Sequence, residues 1–190
     1  MTAVLLDRDG VVNEDRPGYV TRWEEFRFLP GALEALATLL AAGLRLVVVT
    51  NQSAVGRGLL TPETLDDIHE RMLAHCAADG IAIEGVFACR HAPWEGCACR
   101  KPRPGLLLQA MASLDERPQS CVAIGDSVED LLAAQAASVP FVLVRTGRGE
   151  QALRHPAARR YPPILVARDL RAAAHVLPTR LSPSTVVRAA

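Results

Sequence analysis

The chain has 190 residues, 49% of them hydrophobic and only 4% aromatic, with 21 basic and 21 acidic side chains and a formal net charge of zero. That balance excludes the basic excess of a general nucleic-acid or membrane-surface binder. No apolar run approaches the roughly 20 residues needed to cross a bilayer. A single domain over residues 1–177 is expected, its core filled by Leu, Val and Ala. The N-terminus passes straight into "TAVLLDRDG", with neither a basic leader nor a small-residue cleavage site. Five cysteines are an odd number and a poor disulfide framework, so the expected location is cytoplasmic.

In chain order, "AVLL" (3–6) reads as a buried strand that runs directly into "DRDG". Asp7 and Asp9 are two residues apart, so an extended backbone points both carboxylates to one side and Arg8 to the other. Two such carboxylates repel each other. A hard cation such as Mg²⁺ would relieve the repulsion with oxygen ligands and keep Asp7 ionised as a nucleophile. Taken alone, D-x-D reads equally as a solvated turn. After a helix over 31–42, "LRLVVVT" (44–50) forms a second strand. It ends in Thr50, Asn51, Gln52 and Ser53, which offer a neutral cradle for phosphate oxygens or, in isolation, an ordinary polar turn.

Pro62 behind Thr61 opens a helix over 62–79, and Gly43 and Gly80 stand where helices end. "IEGVFA" (83–88) is the third strand, followed by "CRHAPWEGCACRKPRPG" (89–105). Cys89, His91, Cys97 and Cys99 have the spacing C-x-H-x5-C-x-C. Three thiolates and an imidazole with no open position describe a structural zinc site. A loop this short cannot bury enough surface to hold itself rigid, so Zn²⁺ would fix it. The same ion would fix the adjacent Arg100 and Lys101. Lys101 could neutralise a phosphoryl group and an aspartate together, although by itself it reads as a surface lysine.

A helix over 105–114 leads to "CVAIG" (121–125), the fourth strand. Asp126 follows it as a third acidic metal ligand or a plain helix cap, and Asp130, one turn on, caps or pins the helix over 128–137. "FVLV" (141–144), "PILVA" (163–167) and a helix over 169–176 complete the domain, and a loosely ordered tail is expected over 178–190. Cys76 and Cys121 read as small buried residues. His69, His75, His155 and His175 read as surface or packing residues, and Trp94 as loop packing. Strand–helix alternation of this kind implies right-handed crossovers and a three-layer α/β/α, Rossmann-like domain with a mostly parallel sheet. Ligands of such sheets bind beyond the carboxyl ends of the strands.

The order D-x-D, Ser/Thr, Lys, Asp at successive strand ends resembles the haloacid dehalogenase (HAD) superfamily. Within it, "LDRDG", "GYV", "VVVTNQS", "RG", "CRKPRPG", "GDSVED" and "VRTG" are most similar to the D-glycero-D-manno-heptose-1,7-bisphosphate 7-phosphatases and the related histidinol-phosphate phosphatases. The likeness spans about residues 4–148. It implies a phosphomonoester hydrolase in which Asp7 attacks phosphorus and Asp9 serves as general acid and base. Thr50 and Lys101 would bind the transferring group, and Mg²⁺ would be held by Asp7, the Asp9 carbonyl and Asp126. It also implies a HAD-like fold. Residues 10–30 and the zinc loop leave no room for a large cap, so the site should be open. Gly18 and Tyr19 would line the sugar, with Arg57 helping and Arg100 on the retained phosphate. Asn51, Gln52, Ser53 and Ser127 complete the expected substrate contacts. Val11 replaces a usual Thr, and Ser127 stands where some relatives carry Lys. A small phosphorylated sugar is the expected partner of a monomer, with histidinol phosphate or another small sugar phosphate as the alternative substrate.

Overall fold

In the computed structural model, which describes residues 2–181, six strands form one parallel sheet in the order β3-β2-β1-β4-β5-β6. They are β1 (Ala3–Leu6), β2 (Arg45–Asn51), β3 (Val86–Cys89), β4 (Cys121–Gly125), β5 (Phe141–Val144) and β6 (Leu165–Ala167). The helices are α1 (Ala32–Ala41), α2 (Pro62–Ala78), α3 (Gly105–Ser113), α4 (Val128–Ala136), α5 (Gly149–Arg154), α6 (Pro156–Arg160) and α7 (Leu170–Leu181). Among the described residues no helix is long and apolar enough to cross a membrane.

The continuous apolar strands have a simple cause, since alternate residues enter two separate cores. Val4, Leu6, Leu46, Val48, Val122 and Ile124 face one core, closed by α1, α2 and α7. Leu5, Val47, Val49, Ala123 and Leu143 face the other, closed mainly by α3 and α4. A fully buried Leu or Val contributes about 1.5–3 kcal/mol, so each face holds its helices by area alone. Thr61 caps α2, its hydroxyl accepting from the Thr64 N–H at 3.2 Å with Pro62 in the first turn.

Strand order reverses between β1 and β4, and the crevice outside their carboxyl ends is where such sheets bind ligands. Two details differ from the sequence reading. The segment after β5 contains α5 and α6, which the sequence pattern did not suggest. The last helix runs on to Leu181, through the first residues of the expected tail; residues 182–190 lie outside the described residues. Arg8 does point away from Asp7, into the α2 side of the sheet. There its guanidinium is fully buried and doubles back to Asp9.

Candidate active site

β1 and β4 end side by side, which brings Asp7 and Asp126 together, and the first turn of α4 adds Asp130. One oxygen from each of the three carboxylates lies within 4.8 Å of the others, and all three residues are buried. Lys101 reaches the cluster from the loop before α3. Its Nζ donates to Asp7 Oδ1 at 2.8 Å and to the Val49 carbonyl at 2.9 Å, and pairs with Asp130 Oδ1 at 2.5 Å. The Lys101–Pro102 peptide is cis. One ammonium cannot balance three buried carboxylates. Burial first, then repulsion from Asp130, holds the Asp7 carboxyl above its usual range despite Lys101. Burial, Asp130 and Asp7 raise Asp126 likewise. Burial opposes the charge on Lys101, but Asp130 and Asp7 outweigh it and keep the ammonium protonated.

This donor set fits a hard divalent cation. It is all oxygen, it carries excess negative charge, and Asp126 Oδ1 is buried without a hydrogen-bond partner. The surroundings leave that carboxylate no slack, because a Cβ on either Gly10 or Gly147 would overlap Asp126 Oδ2. The Arg148 N–H donates to the same oxygen at 2.7 Å.

The Asp9 side chain stands apart from this cluster. Arg8 Nη2 donates to its two oxygens at 2.9 and 3.0 Å, Asn13 Nδ2 to Oδ1 at 2.9 Å and Gln52 Nε2 to Oδ2 at 2.7 Å. Burial alone would raise its carboxyl; Arg8, Asn13 and Gln52 outweigh that and hold it below the usual range. Gln52 also donates to Thr50 Oγ1 at 2.9 Å, linking the ends of β1 and β2.

A cavity of about 350 Å³ opens over these groups. It gathers Asp7, Asp9, Thr50, Gln52, Ser53 and Lys101 from the strand ends, and Gly18, Tyr19, Arg57, Arg100 and Ser127 at its walls. Asn51 is there too, but its amide is engaged with the Lys101 main chain through a reciprocal pair of 3.0 Å hydrogen bonds. The Ser127 hydroxyl is likewise occupied, donating to Asp130 Oδ2 at 2.5 Å and capping α4. Gly18 and Tyr19 turn in the left-handed region, at φ 97° and 72°, and Tyr19 Oη meets Ser53 Oγ at 3.5 Å. For Tyr19 that conformation costs about 1–3 kcal/mol, strain of the kind found at ligand-facing turns. Val11 is fully buried in the core.

The rim also carries Asp15 and Arg16, from the 14–20 stretch that the family resemblance folds over the sugar, and Glu129 and Arg148, which sequence reasoning missed. Asp130, read as a cap, is also a partner of Lys101. The missed signal was the second aspartate of "GDSVED", four residues after the first.

Cys89, His91, Cys97 and Cys99 converge on one point beside the cavity. Their sulfurs lie 3.4–3.6 Å apart and His91 Nδ1 is 3.3 Å from Cys99 Sγ. A disulfide would need about 2.05 Å, whereas tetrahedral ligands about 2.3 Å from zinc stand roughly 3.8 Å apart. The set therefore fits a closed Cys₃His zinc site. The loop also leans on the end of β2: the Gly56 N–H donates to the Arg90 carbonyl at 2.8 Å, and Arg57 stacks 5.1 Å over Trp94.

The chain is similar to known proteins. Residues 98–173 match the HAD-hydrolase-like family model. D-glycero-beta-D-manno-heptose-1,7-bisphosphate 7-phosphatase of Bordetella bronchiseptica is 43% identical over 154 residues, covering 80% of this chain and 86% of the relative. The Pseudomonas putida enzyme of the same name is 40% identical over 153 residues, covering 80% and 87%. A crystal structure of D,D-heptose 1,7-bisphosphate phosphatase from B. bronchiseptica, complexed with magnesium and phosphate, superposes with a TM-score of 0.87 at 39% identity, covering 95% of this chain and 99% of that one. The chain belongs to the D-glycero-beta-D-manno-heptose-1,7-bisphosphate 7-phosphatase family of HAD-like hydrolases.

Proposed function

We propose that the protein removes the 7-phosphate of D-glycero-D-manno-heptose 1,7-bisphosphate by way of an aspartyl-phosphate. The observation that carries this reading is the meeting of Asp7, Asp126, Thr50 and Lys101 at one pocket whose rim adds Arg57 and Arg100. The magnesium complex of the B. bronchiseptica relative supports it. Asp7, the Asp9 carbonyl and Asp126 would hold Mg²⁺, which, when bound, offsets charge on the transferring group. Cys89, His91, Cys97 and Cys99 would hold Zn²⁺ as a structural ion.

Asp7 is the nucleophile. Its oxygen bonds to phosphorus as the bond to the sugar oxygen breaks, and Asp9 gives that oxygen a proton. Because Arg8 favours the charged form of Asp9, the proton arrives with the substrate's phosphate monoanion. In the second step Asp9 takes a proton from water, whose oxygen attacks phosphorus and frees Asp7 and inorganic phosphate. Thr50 and Lys101 hold the equatorial oxygens, where fixed donors are worth most. Asn51 acts by fixing the Lys101 backbone. Arg100 and Arg57 receive the phosphate that stays on the sugar, while Gly18, Tyr19, Ser53 and Ser127 border the sugar itself. The cavity suits one small polar molecule, acted on by a single chain in the cytoplasm.

Phosphate release from both anomers of the heptose bisphosphate, from histidinol phosphate and from simple sugar monophosphates tests the reading. The bisphosphate should give the highest kcat/KM, with the beta anomer, which the relatives' names carry, ahead of the alpha. Faster turnover of histidinol phosphate would overturn the substrate assignment.

A further inference from the structure

Arg8 is an arginine with no exposed surface, lodged on the α2 side of the sheet. Strand alternation sends it there, and a guanidinium in such a place must find partners within the protein. Its Nη2 takes both oxygens of Asp9. Its Nη1 lies 3.0 Å from Nε2 of His69, a residue of α2 with 6% exposure. Nε has no partner, and the Phe26 ring lies 5.9 Å from the guanidinium carbon. Two contacts therefore fix the plane of this guanidinium, one to the reacting carboxylate and one to the imidazole behind it. Arginine can only donate, so the imidazole must be neutral and must present Nε2 as an acceptor. Burial and the adjacent Arg8 charge lower the His69 pKa to about 3, in keeping with that neutral form.

We infer that His69 is a positioning residue for the hydrolase reaction: by accepting from Arg8 Nη1, it aligns Arg8 Nη2 on both oxygens of Asp9 and so aims the acid/base carboxylate at the scissile oxygen. The inference rests on the proposed role of Asp9. His69 touches neither substrate nor reacting atoms. Asn13 and Gln52 remain on Asp9 when His69 is replaced, so the carboxylate stays in the site but loses the support that sets its direction. A misplacement of about 1 Å in a reacting group costs up to about 100-fold in rate.

The test uses leaving groups of different need. An alkyl oxygen must be protonated as it departs, whereas 4-nitrophenolate leaves without a proton. His69→Leu keeps much of the ring's bulk and removes the acceptor; His69→Gln restores an acceptor oxygen. On heptose bisphosphate, His69→Leu should lower kcat about 10- to 100-fold with little change in KM, and His69→Gln should recover most of it. With 4-nitrophenyl phosphate, the pre-steady-state burst of nitrophenol should keep the parental rate in both variants. In the unmodified protein, nitrogen NMR of the ring should show the neutral Nδ1–H tautomer, a measurement that stands even if the leucine variant does not fold. Equal losses on both esters, unchanged kcat in His69→Leu, or an imidazolium or Nε2–H tautomer would overturn the inference. A parent protein that hydrolyses neither ester would instead remove the hydrolase reading, and His69's role with it.

Discussion

The carboxylate cluster at the strand ends and the thiolate cluster on the 89–99 loop lie on either side of Lys101, yet different things hold them in place. Asp7 and Asp126 extend from neighbouring parallel strands whose register pairs Leu6 with Ile124, so the sheet sets their separation. Asp130 is fixed by the first turn of α4. This site exists before any ion arrives, at the expense of repulsion between buried acids. The thiolate loop has no ladder of its own beyond Cys89; a few contacts to Gly56, Arg57 and Arg103 brace it, and the rest of its ordering falls to the ligands themselves. A cation at the first site would relieve strain in a finished scaffold; a cation at the second would finish the scaffold. That contrast predicts different consequences when each is broken.

The largest effect is expected at the first site. Asp7→Asn removes the proposed nucleophile and one of three mutually repelling carboxylates. Turnover should fall by on the order of 10⁴-fold or more, while far-UV circular dichroism and zinc content stay at the parental level. Magnesium should raise the melting temperature of the parent by several degrees more than that of the variant, since less repulsion remains to be relieved. Residual turnover within about 10-fold of the parent would mean that another group attacks phosphorus.

A smaller effect is expected at the loop. Cys99→Ser should abolish one-to-one zinc and loosen the segment that carries Arg100 and Lys101. Because the Gly56 N–H docks on the Arg90 carbonyl and Arg57 stacks on Trp94, the 53–60 segment should loosen with it. The expected loss is about 10- to 100-fold in kcat/KM, mostly through KM, with the sheet intact. Loss of the whole far-UV signal would show that the loop supports the fold and not only the pocket rim.

What the sequence disclosed follows the same contrast. Asp7, Thr50 and Asp126 are legible because a buried apolar run that stops at a polar residue marks a strand end, and parallel sheets gather such ends. Cys89, His91, Cys97 and Cys99 are legible because ligand spacing within a short loop is nearly the geometry itself. Contacts that depend on distant packing were not legible. Alternation places Arg8 opposite Asp7 but says nothing about a side chain curling back to Asp9, which takes the α2 wall and His69, 61 positions away. Asn51 looked like a phosphate ligand because its engagement with Lys101 spans 50 residues. Short helices such as α5, with 6 residues, and α6, with 5, hold too little periodicity to read.

The smallest effect concerns stability and separates the two clusters by pH. At the loop, acid would protonate the thiolates that the proposed zinc needs and release the ion. Acid attacks the oxygen site from beneath, through His69. Unfolded, that imidazole takes up a proton near pH 6.5; folded, it resists until about pH 3. Between those values the unfolded chain binds the extra proton, so unfolding becomes easier as pH falls, by at most about 1.4 kcal/mol per pH unit for one site. His69→Gln has the same zinc loop but no titrating ring. Urea midpoints of parent and variant measured from pH 7 to pH 4 should therefore differ by an amount that shifts in the variant's favour as pH drops below about 6. Parallel curves would mean that His69 is protonated in the folded protein, and with an imidazolium at that position Arg8 would have no acceptor to lean on.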